Sequence, residues 1–193
     1  MYMTGAIDTT LSTNGIYYAT SWATDGITWS KPQLLMFGYW LPSATWKNDH
    51  VELYANSTDT GVADVFNLGA SGVTIGTPAM LVFDNLISVP PYYSNINVEW
   101  RSNISMYQML AERYLSTTTN TSSVIDYLSS TDGIHWHLQY PAIIRPKNGQ
   151  FRVGTPAQNP DSAFFVYFGS TAEQHSEGFE INAARWNAPV LGS

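Results

Sequence analysis

The chain has 193 residues and no cysteine; 44% of its residues are hydrophobic, 14% are aromatic and only 12% are charged. This composition excludes a disordered chain, a disulfide framework and a cysteine nucleophile. The formal net charge of -7 and the lack of a Lys/Arg cluster argue against nucleic acid as a partner, because binding to phosphates needs concentrated positive charge.

Segments that would cross or target a membrane are not evident in the sequence. No stretch approaches the roughly 18 consecutive apolar residues of a membrane span, so we expect none. The start of the chain lacks the basic and apolar regions of a signal peptide. The cellular location therefore stays open, with an extracellular or virion-associated protein among the options.

Four strand-like segments follow one another along the chain, at residues 1–5, 51–56, 105–110 and 164–170. Each precedes a proline that leads an apolar run, and these are Pro32, Pro78, Pro141 and Pro189. The repeat is about 50 residues long, and four short antiparallel strands per repeat of this length are typical of a propeller blade. The sequence therefore predicts an all-β fold: a β-propeller of four-stranded antiparallel blades, with four units visible in a single domain over residues 1–193.

One segment fits two kinds of secondary structure. Residues 104–115 place Met106, Met109, Leu110 and Tyr114 at spacings that suit a helix as well as a strand. Because the segment occupies the same place in the repeat as residues 51–56, we predict a strand.

The hexad TDGITW at residues 24–29 recurs as TDGIHW at residues 131–136. Asp-Gly is a preferred hairpin dipeptide, so we predict that Asp25-Gly26 and Asp132-Gly133 occupy equivalent turns between the third and fourth strands of their units. The tryptophan that ends each hexad is predicted to begin the outer strand and to cover a seam between blades.

The passages YYATSWATDGITWSKPQLL (17–35), IDYLSSTDGIHWHLQYPAII (125–144) and RVGTPAQNPDSAFFVYFGS (152–170) carry a family resemblance. The chain resembles the five-bladed propellers of the glycoside hydrolase superfamily that includes arabinanases, xylosidases, invertases and levansucrases. The resemblance implies a five-bladed parent fold and catalytic carboxylates on inner strands. Leu41 stands where the family has an aspartate, and the inner strand of the first blade is missing. The chain is therefore expected to be incomplete at its N-terminus or to keep the scaffold without the chemistry.

Glu99 is the candidate catalytic residue. A glycosidase needs two carboxyl groups, and Glu99 is predicted on the inner strand of the third unit, where apolar neighbours would raise its pKa. The alternative is a surface glutamate paired with Arg101. No second inner-strand acid is evident, since Asp49 and Asp161 fall at predicted turns.

Aromatic side chains predicted at the starts of inner strands are candidates for stacking on a neutral sugar: Trp40, Trp46, Tyr92, Tyr93 and Trp100. Polar residues of the last inner strand are predicted to line the same opening: Arg152, Gln158 and Asn159. The alternative is that the rings fill the channel and the seams between blades. The four histidines show no zinc spacing, so we expect neither a metal site nor a cofactor.

These patterns predict a glycosidase-like propeller that binds a neutral carbohydrate, with hydrolysis left open. The alternative is a non-catalytic adhesin or structural interaction module, such as a viral or phage receptor-binding protein or a cell-surface protein. An open inner edge beside the first blade predicts self-association through that edge, unless further sequence covers it.

Overall fold

The computed structural model describes residues 1–6, 14–21, 27–84, 93–115 and 123–144, together with the backbone of three strands at 151–158, 163–170 and 180–187. Throughout this described part the chain is all-β and contains no helix. None of its segments is therefore a helix long and apolar enough to cross a membrane.

The strands form four sheets, and neighbouring strands of the first, second and fourth sheets pair antiparallel. The first sheet has the order β1-β2-β3, with strands β1 (Tyr2–Ala6), β2 (Asn14–Tyr18) and β3 (Gln33–Phe37). The second has the order β4-β5-β6-β7, with strands β4 (Tyr39–Lys47), β5 (His50–Ser57), β6 (Ala63–Asn67) and β7 (Ala79–Met80).

The third sheet has the order β8-β12-β11-β10-β9, with strands β8 (Val82–Asp84), β9 (Tyr93–Arg101), β10 (Met106–Tyr114), β11 (Ser123–Ser130) and β12 (His135–Ile144). The fourth has the order β13-β14-β15, with strands β13 (Phe151–Gln158), β14 (Ala163–Ser170) and β15 (Glu180–Asn187). The second sheet thus has the predicted four strands, and the third has five because β8 joins its outer strand. The first and fourth have three strands each among the described residues, so the blade count and the closure of a ring stay predictions.

The ambiguous segment at residues 104–115 is a strand, β10, as its position in the repeat predicted. Its central residues are buried without alternation, because side chains on both faces of the strand are covered. A strand buried on both faces loses the period-two pattern of apolar residues. This loss explains why its apolar positions also fitted a helix.

The chain divides into two compact units. Unit 1 comprises Met1–Val82, Val98–Tyr107 and Ser130–His135, and unit 2 comprises Phe83–Asn97, Gln108–Ser129 and Trp136–Ser193. The core of unit 1 is a cluster of side chains from β2, β3, β5 and β6 and the residue after β6: Ile16, Met36, Leu53, Ala55, Phe66 and Leu68. In unit 2, the aliphatic and aromatic residues Leu110, Ile125 and Tyr127 pack together. A single domain over the whole chain stays a prediction.

The second hexad forms a turn that its aspartate stabilises. Asp132 accepts hydrogen bonds from the backbone N–H groups of Ile134 and His135, both at 2.8 Å, and Gly133 adopts a φ of +81°. Trp136 is fully buried on β12. The side chain of Trp29 in the first hexad is 41% exposed, and Asp25 and Gly26 lie outside the described residues. The equivalence of the two hexads therefore stays a prediction.

Candidate functional site

The starts of β4 and β9 share an unusual backbone. Leu41 and Asn95 are each the third residue of their strand, and they have positive φ angles of 52° and 48°. In β4 the pairing register with β5 shifts between Trp40 and Ser43, which marks a bulge. Non-glycine residues seldom adopt positive φ, and bulges of this kind redirect side chains next to binding sites. The side chains at these two positions are leucine and asparagine rather than acids.

Trp40 lies next to this bulge and is a half-buried ring of unit 1. Its indole nitrogen is buried and has no hydrogen-bond partner among the described residues. The neighbouring Leu41 N–H donates to the Thr4 hydroxyl on β1 at 2.8 Å. A buried indole N–H without a partner is unfavourable, and a sugar hydroxyl could satisfy it.

Trp46 and Trp100 were expected at the starts of inner strands, and that position is wrong. Trp46 is the eighth residue of β4 and Trp100 the eighth residue of β9, so both lie near strand ends. Because β4 and β9 are each nine residues long, these two rings lie at the opposite end of the strand from its start. Whether any of these rings binds sugar stays a prediction.

Trp100 belongs to a group of side chains in unit 1 that we call the Lys47 cluster: Lys47, Glu52, Tyr54, Trp100 and Tyr107. The Trp100 ring centroid lies 4.7 Å from that of Tyr107. The ammonium of Lys47 lies 4.9 Å from the centre of the Trp100 ring and 4.6 Å from that of Tyr107. These distances suit cation–π attraction, so Lys47 already covers part of the Trp100 surface.

Glu52 provides the negative charge of the Lys47 cluster. Its side chain is only 12% exposed, and its Oε1 lies 3.7 Å from the Lys47 ammonium. Its Oε2 accepts hydrogen bonds from the Tyr107 hydroxyl at 2.6 Å and the Tyr54 hydroxyl at 3.2 Å. Burial, followed by the nearby carboxylate, raises the pKa of both tyrosines. The phenols are therefore neutral donors at physiological pH.

Sequence reasoning missed the Lys47 cluster because it searched for acids on inner strands alone. A signal was present, since Glu52 and Tyr54 alternate on β5 and so share a face. The register pairs Thr45 with Glu52 and Lys47 with His50, which brings the lysine to the same face. The two-residue turn Asn48-Asp49 connects Lys47 to His50.

Glu99 lies near the end of β9, with its side chain 25% exposed. Burial raises its pKa, and the charge of Arg101, whose Nη1 lies 3.8 Å from Oε2, partly opposes that shift. Its Oε2 is buried and accepts no hydrogen bond from the described residues. The structure thus records the pairing with Arg101 that was the alternative. A raised pKa is also what a proton donor requires, and the catalytic role stays a prediction.

Tyr93 lies at the start of β9, in unit 2, where it is almost fully buried. Its hydroxyl donates to Asp126 Oδ2 at 3.1 Å, and its ring lies 4.8 Å from that of Phe83. Asp126 also accepts hydrogen bonds from the Arg113 guanidinium and, at 2.7 Å, from a backbone N–H of β12. The phenol of Tyr93 is therefore already engaged inside the protein.

A second buried carboxylate of unit 2, Glu112, accepts a hydrogen bond from the side-chain amide of Asn95. This contact fixes the residue that has positive φ at the start of β9. Sequence reasoning had no ground to select Glu112, because it searched for acids on the strands predicted to be inner, whereas Glu112 lies on β10.

The other predicted binding residues fall where side chains are not described. Arg152 and Gln158 lie on β13, of which the structure describes the backbone. Tyr92, Asn159 and Asp161 lie outside the described residues.

The described histidines pair with aspartates. The Nδ1 of His135 lies 2.7 Å from Asp132, and the Nδ1 of His137 lies 3.4 Å from Asp84. In the described ranges no group of three His, Asp or Glu side chains could hold a metal ion.

Comparison with known proteins identifies the fold. No protein-family model matches the chain, and no curated protein sequence does. Among solved structures, the GH43 endo-arabinanase from Bacillus licheniformis has a TM-score of 0.59 at 11% identity, over 92% of this chain and 66% of that one. The chain has the fold of the propeller glycoside hydrolases. These identities establish the fold alone.

Two further solved structures share this fold. An N-acetylgalactosamine deacetylase from F. plautii, in complex with blood group B trisaccharide, has a TM-score of 0.58 at 12% identity, over 81% of this chain and 55% of that one. The NanB sialidase from Streptococcus pneumoniae has a TM-score of 0.52 at 17% identity, over 89% of this chain and 26% of that one. This chain therefore spans about half to two thirds of the length of the arabinanase and the deacetylase.

Proposed function

We propose that this glycosidase-like chain recognises a neutral glycan through aromatic side chains of unit 1, on β4 and at the end of β9. The observation that carries the proposal is the fold, which matches an endo-arabinanase over 92% of the chain and a deacetylase solved with a bound trisaccharide. The net charge of -7 favours an uncharged sugar over an anionic one. In this proposal the four sheets are blades of a propeller with a five-bladed parent fold.

Trp40 supports a binding site at the start of β4. The ring is partly accessible, its buried N–H lacks a partner among the described residues, and it adjoins the bulge at Leu41. A sugar needs an apolar face on which to stack and polar groups for its hydroxyls. Trp100 is a second candidate, although its contacts with Lys47 and Tyr107 also give it a structural role.

Binding rather than hydrolysis is the activity that we propose. The positions with positive φ at the starts of β4 and β9 carry leucine and asparagine, which can neither donate a proton to a leaving oxygen nor activate water. Glu99 has the raised pKa of a proton donor but needs a second carboxylate to act with it.

A binding assay on the purified chain tests the proposal. The panel is debranched arabinan, xylan, inulin and blood group B trisaccharide, measured by isothermal titration calorimetry. We expect Trp40→Ala to weaken the binding of the preferred glycan about tenfold, the effect of one lost ring contact of about 1.4 kcal/mol. Trp100→Ala should also weaken it, with a lower melting temperature because its cluster is disrupted.

Trp29→Ala is the matched control, because Trp29 is an exposed tryptophan of unit 1 that is not part of β4 or β9. Its binding should equal that of the wild type. A wild-type chain that binds no member of the panel would contradict the proposal and favour the scaffold or adhesin alternative. Unchanged binding in Trp40→Ala would place the site elsewhere.

A further inference from the structure

The most exposed tryptophan ring of the described chain lies at the end of β4, far from the bulge. The Trp46 side chain is 54% exposed, whereas Trp40 is half-buried. Trp46 follows Trp40 by six positions on one strand, which corresponds to roughly 20 Å at the rise of a β-strand. One sugar unit cannot contact both rings.

The Trp46 ring is held in place by the turn that follows it. Its indole N–H donates to the carbonyl oxygen of Asn48 at 3.0 Å. Asn48 has a φ of +54° and is the first residue of a two-residue hairpin loop between Lys47 and His50. A ring fixed in this way loses little side-chain entropy when a ligand stacks on it.

The surroundings of the ring match a sugar better than a protein. About half of a tryptophan surface is exposed here, roughly 100–150 Å² of a side chain of up to about 250 Å². A stable protein interface needs about 800 Å² from each partner. Ala44, on the same face of β4, is exposed and too small to extend the apolar area by much.

Polar groups flank the ring at the loop. Asn48 is exposed, and the side chain of Asp49 is 91% exposed. The hydrogen bond from His50 lowers the pKa of Asp49, so its carboxylate stays ionised and can accept hydrogen bonds from hydroxyl groups. An amide and a carboxylate beside an aromatic face are suitable partners for sugar hydroxyls.

We infer that Trp46, with the Asn48-Asp49 loop, forms a second contact site for a neutral polysaccharide, separate from the site at the start of β4. This inference rests on the proposed function, because it takes the same class of ligand. A long glycan that reaches both sites gains affinity from the second contact, whereas a short one binds at one site alone.

The test compares the preferred polysaccharide of the panel with its own trisaccharide, by calorimetry. We expect Trp46→Ala to weaken polysaccharide binding about tenfold and to leave trisaccharide binding unchanged. Trp46→Phe retains a ring and should keep most of the affinity, and Trp29→Ala should match the wild type. Melting temperatures of all variants show that they are folded. If Trp46→Ala does not fold, Trp46→Gln takes its place.

Polysaccharide binding that is equal in Trp46→Ala and the wild type would overturn this inference and leave the proposed function intact. Equal losses for the polysaccharide and the trisaccharide would also overturn it, because they would indicate one site. A wild-type chain that binds no glycan would instead refute the proposed function, and the second site with it.

Discussion

The hydroxyl of Tyr107 provides a direct measure of what the Lys47 cluster contributes to stability. Tyr107 is fully buried and donates to Glu52 at 2.6 Å, a hydrogen bond to a charged acceptor. Such bonds contribute about 1.5–3 kcal/mol, and Glu52 is too little exposed for water to replace the donor freely. Tyr107→Phe keeps the ring against Trp100, so the change removes only what the hydroxyl contributes: its bond to Glu52 and its weaker contact with the Tyr54 hydroxyl.

We therefore expect Tyr107→Phe to lower the free energy of unfolding by about 2 kcal/mol. At this chain length that loss corresponds to a melting temperature roughly 4–8 °C lower. Urea denaturation followed by tryptophan fluorescence measures the free energy of unfolding, and differential scanning calorimetry measures the melting temperature. In a chain that already carries Glu52→Gln, Tyr107→Phe should lower the free energy of unfolding by less, because the acceptor no longer carries a charge.

Tyr18→Phe is the matched control. The Tyr18 hydroxyl donates to Gln33 at 2.8 Å in an exposed, uncharged pair, so its removal should cost less than about 0.5 kcal/mol. If Tyr107→Phe cost no more than Tyr18→Phe, the Glu52 carboxylate would not be a stabilising acceptor, and the role assigned to the cluster would be refuted.

Three further changes test other parts of the structure by urea denaturation. Gly133→Ala should cost at least about 1 kcal/mol more than Gly69→Ala, because both have positive φ but only the first Cβ would meet a tyrosine hydroxyl, at 2.6 Å. Leu41→Asn should stabilise by about 0.5–1 kcal/mol, since asparagine tolerates a φ of 52° better, and a loss would contradict this. The hydrogen bond to Asp49 raises the pKa of His50. The stability that the protonated His50 contributes is therefore present below about pH 6.5 and is lost as pH rises through the raised pKa. His50→Gln should flatten the stability profile between about pH 6 and 8, and an unchanged slope would contradict the assignment.

Much of the secondary structure was predictable because the predicted repeat assigns strands to positions along the chain. The strand-like segments at 51–56 and 164–170 correspond to β5 and β14, and the repeat identified β10 although its local pattern did not. The lengths of the strands were harder to predict. β9 is buried along most of its length, so no alternation marks where it ends. This uncertainty led to the wrong position for Trp100.

The candidate site was less predictable than the fold, because its contacts depend on cross-strand register. Glu52 meets Lys47 through the pairing of β4 with β5, and it meets Tyr107 from a strand that follows about 50 residues later. Asp132 was predictable because its partners lie within three residues of it. Local hydrogen bonds can thus be read from a motif, whereas long-range ones require the register.

The described carboxylates favour the proposal of binding over that of hydrolysis. Glu52, Asp64, Glu112 and Asp126 already accept hydrogen bonds from tyrosine, asparagine or arginine side chains, so they hold strands together. Glu99 differs, because burial raises its pKa and no described residue donates a hydrogen bond to its buried oxygen. To act in a glycosidase site, Glu99 would need a second carboxyl group about 5–5.5 Å or roughly 6.5–9.5 Å away.

We therefore expect Glu99→Gln to leave glycan binding unchanged within a factor of about two, because the change removes a proton and a charge but no ring contact. The wild-type chain should release little or no reducing sugar from arabinan, xylan or inulin over a long incubation. The same titrations and a reducing-sugar assay on both proteins measure these quantities. Robust turnover that disappears in Glu99→Gln would show that this acid has a catalytic partner. The reading of the chain as a binding protein would then be wrong, even though the fold and the aromatic contacts would stand.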